Sequence, residues 1–263
     1  MHLHPFLNTA VRAARLAGTV IMRHFDNLDK LVIQEKGVND LVTAADHAAE
    51  AIIIDTIQKA YPEHSILGEE NGYIAGNEFT WVIDPIDGTM NYAHGFPQFA
   101  VSIAIKFKDQ IEHAVVFDPF NQDLYTATKG GGAQLNNRRI RISARDTLKN
   151  ALIGSALPSP RQYSKESVQK SFNLFHALFE QEADFRKVGS AALNLAYVAA
   201  GRLDGFFEPN LKEWDIAAGV LLVREAGGFV SDFSGENTFL ESGNIVAGTR
   251  KIHAELLELL AKA

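Results

Sequence analysis

The stretch "WVIDPIDGTMNY", residues 81–92, decides how the rest of the chain is read. Apolar residues with the look of a buried strand run directly into two aspartates, a proline, a glycine and a threonine. Asp-Pro and Asp-Gly are common turn dipeptides and Asp is a good helix cap, so a plain turn is one reading. Chemistry offers another. Pro85 has no N–H to donate to a central ladder, so the strand is expected to break there. Asp84 and Asp87, three apart in a tight turn, can converge on one point with the Ile86 carbonyl between them. Two carboxylates and a carbonyl are hard oxygen donors, suited to Mg2+ rather than to zinc. Just downstream, Gly88 permits close backbone approach, and "TMNY" can open a short helix whose free N–H groups would cradle a phosphate oxyanion.

An aspartate-rich "DGT" after an apolar strand also occurs in haloacid-dehalogenase-type phosphatases, where the first aspartate is a nucleophile. There one residue separates the two aspartates, and the motif usually sits at the first strand. Here two residues separate them and the motif starts at residue 84. Metal ligation is the preferred role.

Other acidic residues admit two readings each. "ILGEENG" places Glu69 and Glu70 after an apolar pair, either as a solvated turn or as further ligands. Asp215 stands near the start of the apolar helical run "EWDIAAGVLLVREAGG", as a cap or a ligand. "NDLVTAADHAAE" brings Asp46 and Glu50 one helical turn apart, a spacing that a solvated helix face explains equally well.

Bulk composition narrows the class. The 263 residues can bury a substantial core, and 46% hydrophobic with 22% charged residues is ordinary for a globular chain. A net charge of −7 argues against direct nucleic-acid binding, which rests on phosphate neutralisation. An acidic protein acting on an anionic substrate needs local positive charge, and a divalent cation supplies it. The absence of cysteine excludes disulfides and thiolate metal sites. No stretch reads as a secretory signal or approaches the roughly 20 apolar residues of a membrane span, so a cytoplasmic location is expected.

Apolar residues at Leu7, Val11, Ala14, Gly18, Ile21 and Phe25 predict a helix over residues 5–25. A second helix is expected over about residues 42–60, then a mostly antiparallel sheet through residue 145. "FAVSIAIKF" and "IEHAVVFDP" read as a hairpin joined by "KDQ". Beyond "ARDTLKN" strands and helices alternate, predicting an α/β half over 146–263 after an α+β half over 1–145. Helices are expected at about 165–180, within "SAALNLAYVAAG" and "DIAAGVLLVREAGG", and near 250–261.

Together these segments resemble the inositol monophosphatase family of Mg2+-dependent, lithium-sensitive phosphatases, and the bacterial inositol-1-monophosphatase branch in particular. "WVIDPIDGTMNY" and "WDIAAGVLLVREAGG" look like its two signatures, with "NDLVTAAD", "GEENG" and "FRKVGSAALNLAYVAAGRLDGFFE" in the expected order. The resemblance implies a layered αβαβα sandwich of the sugar-phosphatase type shared with fructose-1,6-bisphosphatase, with the site at the junction of the halves. It implies that Glu69, Asp84, the Ile86 carbonyl, Asp87 and Asp215 ligate two to three Mg2+ ions. Asp46 and Thr89, with Glu69, would orient the attacking water. The N–H groups of Gly88 and Thr89, beside Asp87, would hold the phosphate, while Glu208 and the backbone near Ala191 would meet substrate hydroxyls. A homodimer is typical of such proteins.

The implied reaction is hydrolysis of myo-inositol monophosphate or a similar polyol monophosphate by metal-activated water. Relatives sharing such a metal site act instead on fructose 1,6-bisphosphate, 3′-phosphoadenosine 5′-phosphate or histidinol phosphate. A different class of role is a transcription- or RNA-processing-associated protein that retains the phosphatase fold. One letter departs from the family pattern: Met90 stands where a second threonine is usual, and since Thr89 carries the implied role little catalytic loss is expected, with room for different packing behind the site.

Overall fold

The computed structural model describes residues 4–28, 33–37, 40–156 and 165–262. The chain opens with α1 (Pro5–Phe25), passes through the hairpin of β1 (Ile33–Gly37) and β2 (Asp40–Thr43), and enters α2 (Ala44–Ala60). Next come β3 (Ser65–Gly68), β4 (Gly72–Ile74), β5 (Phe79–Asp87) and the short α3 (Thr89–Ala93). A meander follows: β6 (Ala100–Phe107), β7 (Gln110–Asp118), β8 (Asp123–Thr128), β9 (Gly132–Leu135) and β10 (Arg138–Arg139). The later elements begin with β11 (Leu152–Ser155), α4 (Lys165–Glu180), β12 (Asp184–Arg186), α5 (Ala191–Ala199) and β13 (Gly205–Glu208). They end with α6 (Glu213–Glu225), β14 (Phe229–Ser231), α7 (Phe239–Ser242), β15 (Ile245–Gly248) and α8 (Arg250–Leu260).

Two sheets and three helical layers result. The eight-stranded sheet has the order β10-β9-β8-β7-β6-β5-β3-β4, antiparallel except where β3 meets β5. The five-stranded sheet has the order β12-β11-β13-β15-β14, with β11 parallel to both of its neighbours. Helices α1 and α2 cover the outer face of the large sheet, α5 and α6 lie between the sheets, and α4 and α8 cover the small one. The fold is an αβαβα sandwich.

Side-chain size divides the large sheet's two faces. Trp81, Ile83, Val101, Ile103, Ile105, Val115 and Phe117 pack toward α1 and α2. Ala100, Ala104, Ala114 and Ala127 lie mostly toward α5 and α6, where small residues let two buried helices approach the strands. In α6 every residue from Ile216 to Val223 is buried, as expected of a helix enclosed on both sides. Each fully buried Ile or Val in these layers contributes about 1.5–3 kcal/mol.

The structure adjusts three expectations. Val42 belongs to β2, opposite Gln34, so α2 starts at Ala44. The β1–β2 hairpin, β3, β4 and α7 are too short to leave a periodic trace. Strand β5 also does not break at Pro85; it runs on to Asp87 through an irregularity that turns out to build the site. Pro158, at the end of the strand expected in "NALIGSALP", lies outside the described residues.

Candidate active site

Asp84 pairs with Ser102 on β6, and Asp87 pairs with Ala100. Three steps along β5 thus match two along β6, so one extra residue bulges out beside Pro85, which has no N–H to pair. In a regular strand residues three apart point to opposite faces. The bulge resets that alternation and lets both aspartates turn to one side. Within it, the Ile86 N–H donates to Asp84 Oδ1 at 3.0 Å, and the Thr89 hydroxyl donates to the Ile86 carbonyl at 3.1 Å. Gly88 follows with φ +98°, a left-handed conformation that leads straight into α3, and a Cβ there would lie 2.9 Å from the Gln98 carbonyl oxygen.

Asp215 arrives from the other end of the sequence on the first turn of α6. It acts as a cap, since its Oδ2 accepts the Lys212 N–H at 2.6 Å, and it also faces β5. Two contacts pin this helix end to β6: Ser102 Oγ donates to the Trp214 carbonyl at 3.2 Å, and Lys106 Nζ meets Glu213 at 2.6 Å. Ser102 is the register partner of Asp84, so the same strand position fixes both aspartates. One carboxylate oxygen from each of Asp84, Asp87 and Asp215 lies within 4.8 Å of the others.

Such proximity is electrostatically unfavourable for three bare anions. Burial pushes the Asp84 pKa well above the usual range, and the charges of Glu69, Asp87 and Asp215 push it further. Burial likewise raises Asp87, although hydrogen bonds from Ser190 and the α5 backbone oppose the rise. Asp215 is raised by burial and by Asp87, and Glu208 is pushed up to about 8 by burial, Asp87 and Asp215. A group of crowded, mutually repelling oxygen donors is what a hard divalent cation stabilises, so the residues fit a divalent-cation site.

The other sequence-predicted residues are distributed around this group. Glu69 follows β3 directly, its N–H donating to the Ile83 carbonyl at 3.2 Å, and its carboxyl group reaches Asp84. Asp46 is buried in the first turn of α2, outside the group of three, and its charge is felt by the Tyr92 phenol. Glu208 ends β13. Ala191 begins α5, whose Ala192 N–H donates to Asp87 Oδ2 at 2.7 Å. Met90 is 43% exposed on α3.

Two supporting residues escaped the sequence reading, and a third admits two readings there. Ser190 donates its hydroxyl to Asp87 and accepts the Leu193 N–H at 3.2 Å as the α5 cap. Its position before an apolar helical run was a cap signal, but its partner is 103 residues away. Ser102 carried no signal within its strand. Glu50, for which a solvated helix face is one of the two readings, is fully buried.

The inositol monophosphatase family model matches residues 2–263. The chain belongs to this family. Among inositol monophosphatase relatives, the Nus factor SuhB of Pseudomonas aeruginosa is 51% identical over 259 residues, covering 97% of this chain and 95% of that protein. The crystal structure of the extragenic suppressor protein SuhB from Bartonella henselae superposes with a TM-score of 0.94 at 40% identity, over 99% of this chain and 100% of the other. An inositol monophosphatase from Anabaena gives a TM-score of 0.86 at 36% identity, over 98% and 96% of the respective chains.

Proposed function

We propose that this chain is a Mg2+-dependent phosphomonoesterase that hydrolyses myo-inositol monophosphate and similar polyol monophosphates. The observation that carries the reading is the convergence of Asp84 and Asp87, from strand β5, and Asp215, from helix α6, onto one point. Membership in the inositol monophosphatase family supports a phosphatase and a divalent metal. Glu69, Asp84, the Ile86 carbonyl, Asp87 and Asp215 would hold two to three Mg2+ ions. When bound, the metal would supply an activated water, a grip on the phosphate and compensation for leaving-group charge.

The protein's own groups do the orienting. Thr89 and Asp46, with Glu69, direct the attacking water, and the Gly88 and Thr89 N–H groups hold the phosphate. Glu208 and the backbone at Ala191 meet the polyol hydroxyls from the small-sheet side. We also propose a division of the chain at residues 145/146, a cytoplasmic homodimer, and sensitivity to lithium. Among the described residues no helix is long and apolar enough to cross a membrane.

A second role is favoured by a specific finding: relatives at about half identity bear the name Nus factor SuhB. On this reading the protein also associates with the transcription machinery. The deciding experiment is phosphate release from a panel of monoesters, with and without Mg2+ and Li+, including fructose 1,6-bisphosphate, 3′-phosphoadenosine 5′-phosphate and histidinol phosphate. Mg2+-dependent, Li+-inhibited release from inositol monophosphate is expected. No Mg2+-dependent release from any polyol monophosphate would overturn the enzymatic reading. Rescue of a deletion phenotype by an inactive Asp87→Asn variant would establish the second role.

A further inference from the structure

Glu50 is a carboxylate at 0% exposure, one helical turn beyond Asp46 on α2, yet it belongs to none of the roles assigned above. Its two oxygens are engaged by three N–H donors. Oε1 accepts the Glu70 N–H at 3.2 Å, Oε2 accepts the Asn71 N–H at 2.9 Å, and the Asn71 side-chain amide also donates to Oε2. All three donors come from the two residues that directly follow Glu69.

The segment is therefore held from two directions. Strand β5 takes the Glu69 N–H through the Ile83 carbonyl, and Glu50 takes the next two N–H groups from the side of α2. Gly68, just before Glu69, makes room for this arrangement: a Cβ at that position would lie 1.9 Å from Glu50 Oε1. The turn also has to reverse at once into β4, with Gly72 at φ +69°. A short reversing turn with no regular ladder of its own needs such external bonds to hold one conformation. Burying a full carboxylate is costly unless its acceptor sites are filled, and here the filling groups are two backbone N–H groups and one side-chain amide of the turn that follows Glu69.

We propose that Glu50 is a positioning residue that sets the direction of Glu69 toward Asp84 and thereby tunes metal affinity at the site. The proposal rests on the metal-dependent reading of the site given above, but its test does not require turnover. Mn2+ serves as the probe, titrated into the full-length protein and followed by electron paramagnetic resonance, alongside thermal unfolding.

Glu50→Gln keeps the volume but turns one acceptor oxygen into a donor facing N–H groups. It is expected to weaken Mn2+ binding by about 10- to 100-fold, the usual scale for a group that orients a metal ligand. Asn71→Ala removes one donor from an exposed residue, leaves Glu50 in place, and is expected to give a smaller loss of about threefold. In phosphate-release assays, the Mg2+ concentration for half-maximal rate should rise while the substrate KM at saturating Mg2+ stays within about twofold. Wild-type Mn2+ affinity in both folded variants would overturn the proposal, even with a lowered melting temperature, because Glu50 would then be a purely structural clamp. Should Glu50→Gln fail to fold, unchanged Mn2+ affinity in Asn71→Ala overturns it alone. Tight Mn2+ binding by wild-type protein that hydrolyses no monoester would instead count against the enzymatic reading and leave the positioning role standing.

Discussion

Asp84-Pro85 near the end of β5 and Asp118-Pro119 at the end of β7 are the same dipeptide at the same kind of strand end, and both aspartates are buried. Their surroundings differ completely. Asp118 Oδ1 accepts the N–H groups of Phe120 and Asn121 at 3.0 and 2.9 Å, and its Oδ2 accepts the Asn121 side-chain amide at 2.8 Å. Its own turn satisfies it. Asp84 accepts one local bond, from the Ile86 N–H, and otherwise confronts Glu69, Asp87 and Asp215. A carboxylate saturated by nearby donors closes a turn; one crowded by other carboxylates has free acceptor capacity and an unfavourable charge, which together suit a cation.

Removing the charge at each corner should separate them most sharply. Asp84→Asn and Asp87→Asn are expected to lower kcat by roughly a thousandfold or more, on the scale of losing a principal electrostatic contributor, while circular dichroism stays unchanged. Asp118→Asn should leave kcat within about threefold, as expected of a substitution that touches no substrate. Equal losses at both corners would break the contrast.

Stability should rank the two in the opposite order. In Mg2+-free buffer, Asp118→Ala removes the acceptor of three part-buried hydrogen bonds and should cost about 1–3 kcal/mol in urea unfolding. Asp84→Asn removes buried repulsion and should leave the metal-free protein as stable as wild type or more so.

The pH dependence follows from the same crowding. A carboxyl group whose pKa is higher in the folded state binds more protons there, so stability falls as pH rises through the interval between unfolded and folded values. For Glu208 that interval runs from the ordinary 4.5 to about 8. The melting temperature of metal-free protein should therefore decline between about pH 5 and about pH 8, and Glu208→Gln should flatten the decline. The smallest effect is expected at Met90, whose side chain is 43% exposed. Met90→Thr should change stability by less than about 0.5 kcal/mol and kcat by less than about twofold.

The sequence was legible wherever local chemistry decides. Helical periodicity located α1, α4 and α8, because each has one apolar stripe to bury. The hairpin of β6 and β7 was visible through its β-branched runs and short polar turn. The oxygen-donor character of "DPIDG" could be read directly, and so could the resemblance to a metal-dependent phosphatase family. Short elements such as β3, β4 and α7 were not legible, since three or four residues carry no period.

What only the tertiary structure decided is which acids act together. Asp46, Glu50, Glu69 and Asp215 each had a structural explanation in sequence, and no local rule ranks those explanations. The bulge at Pro85 depends on pairing with β6, because an extra residue exists only relative to a partner strand. Asp215 reaches Asp84 because Ser102 binds the Trp214 carbonyl across 112 residues of chain. Glu50 passed from a solvated face to the core because α2 packs over β5 and the turn after Gly68 closes onto it. Residue types and their spacing set which donors were available; three-dimensional register and burial set which of them share one point in space.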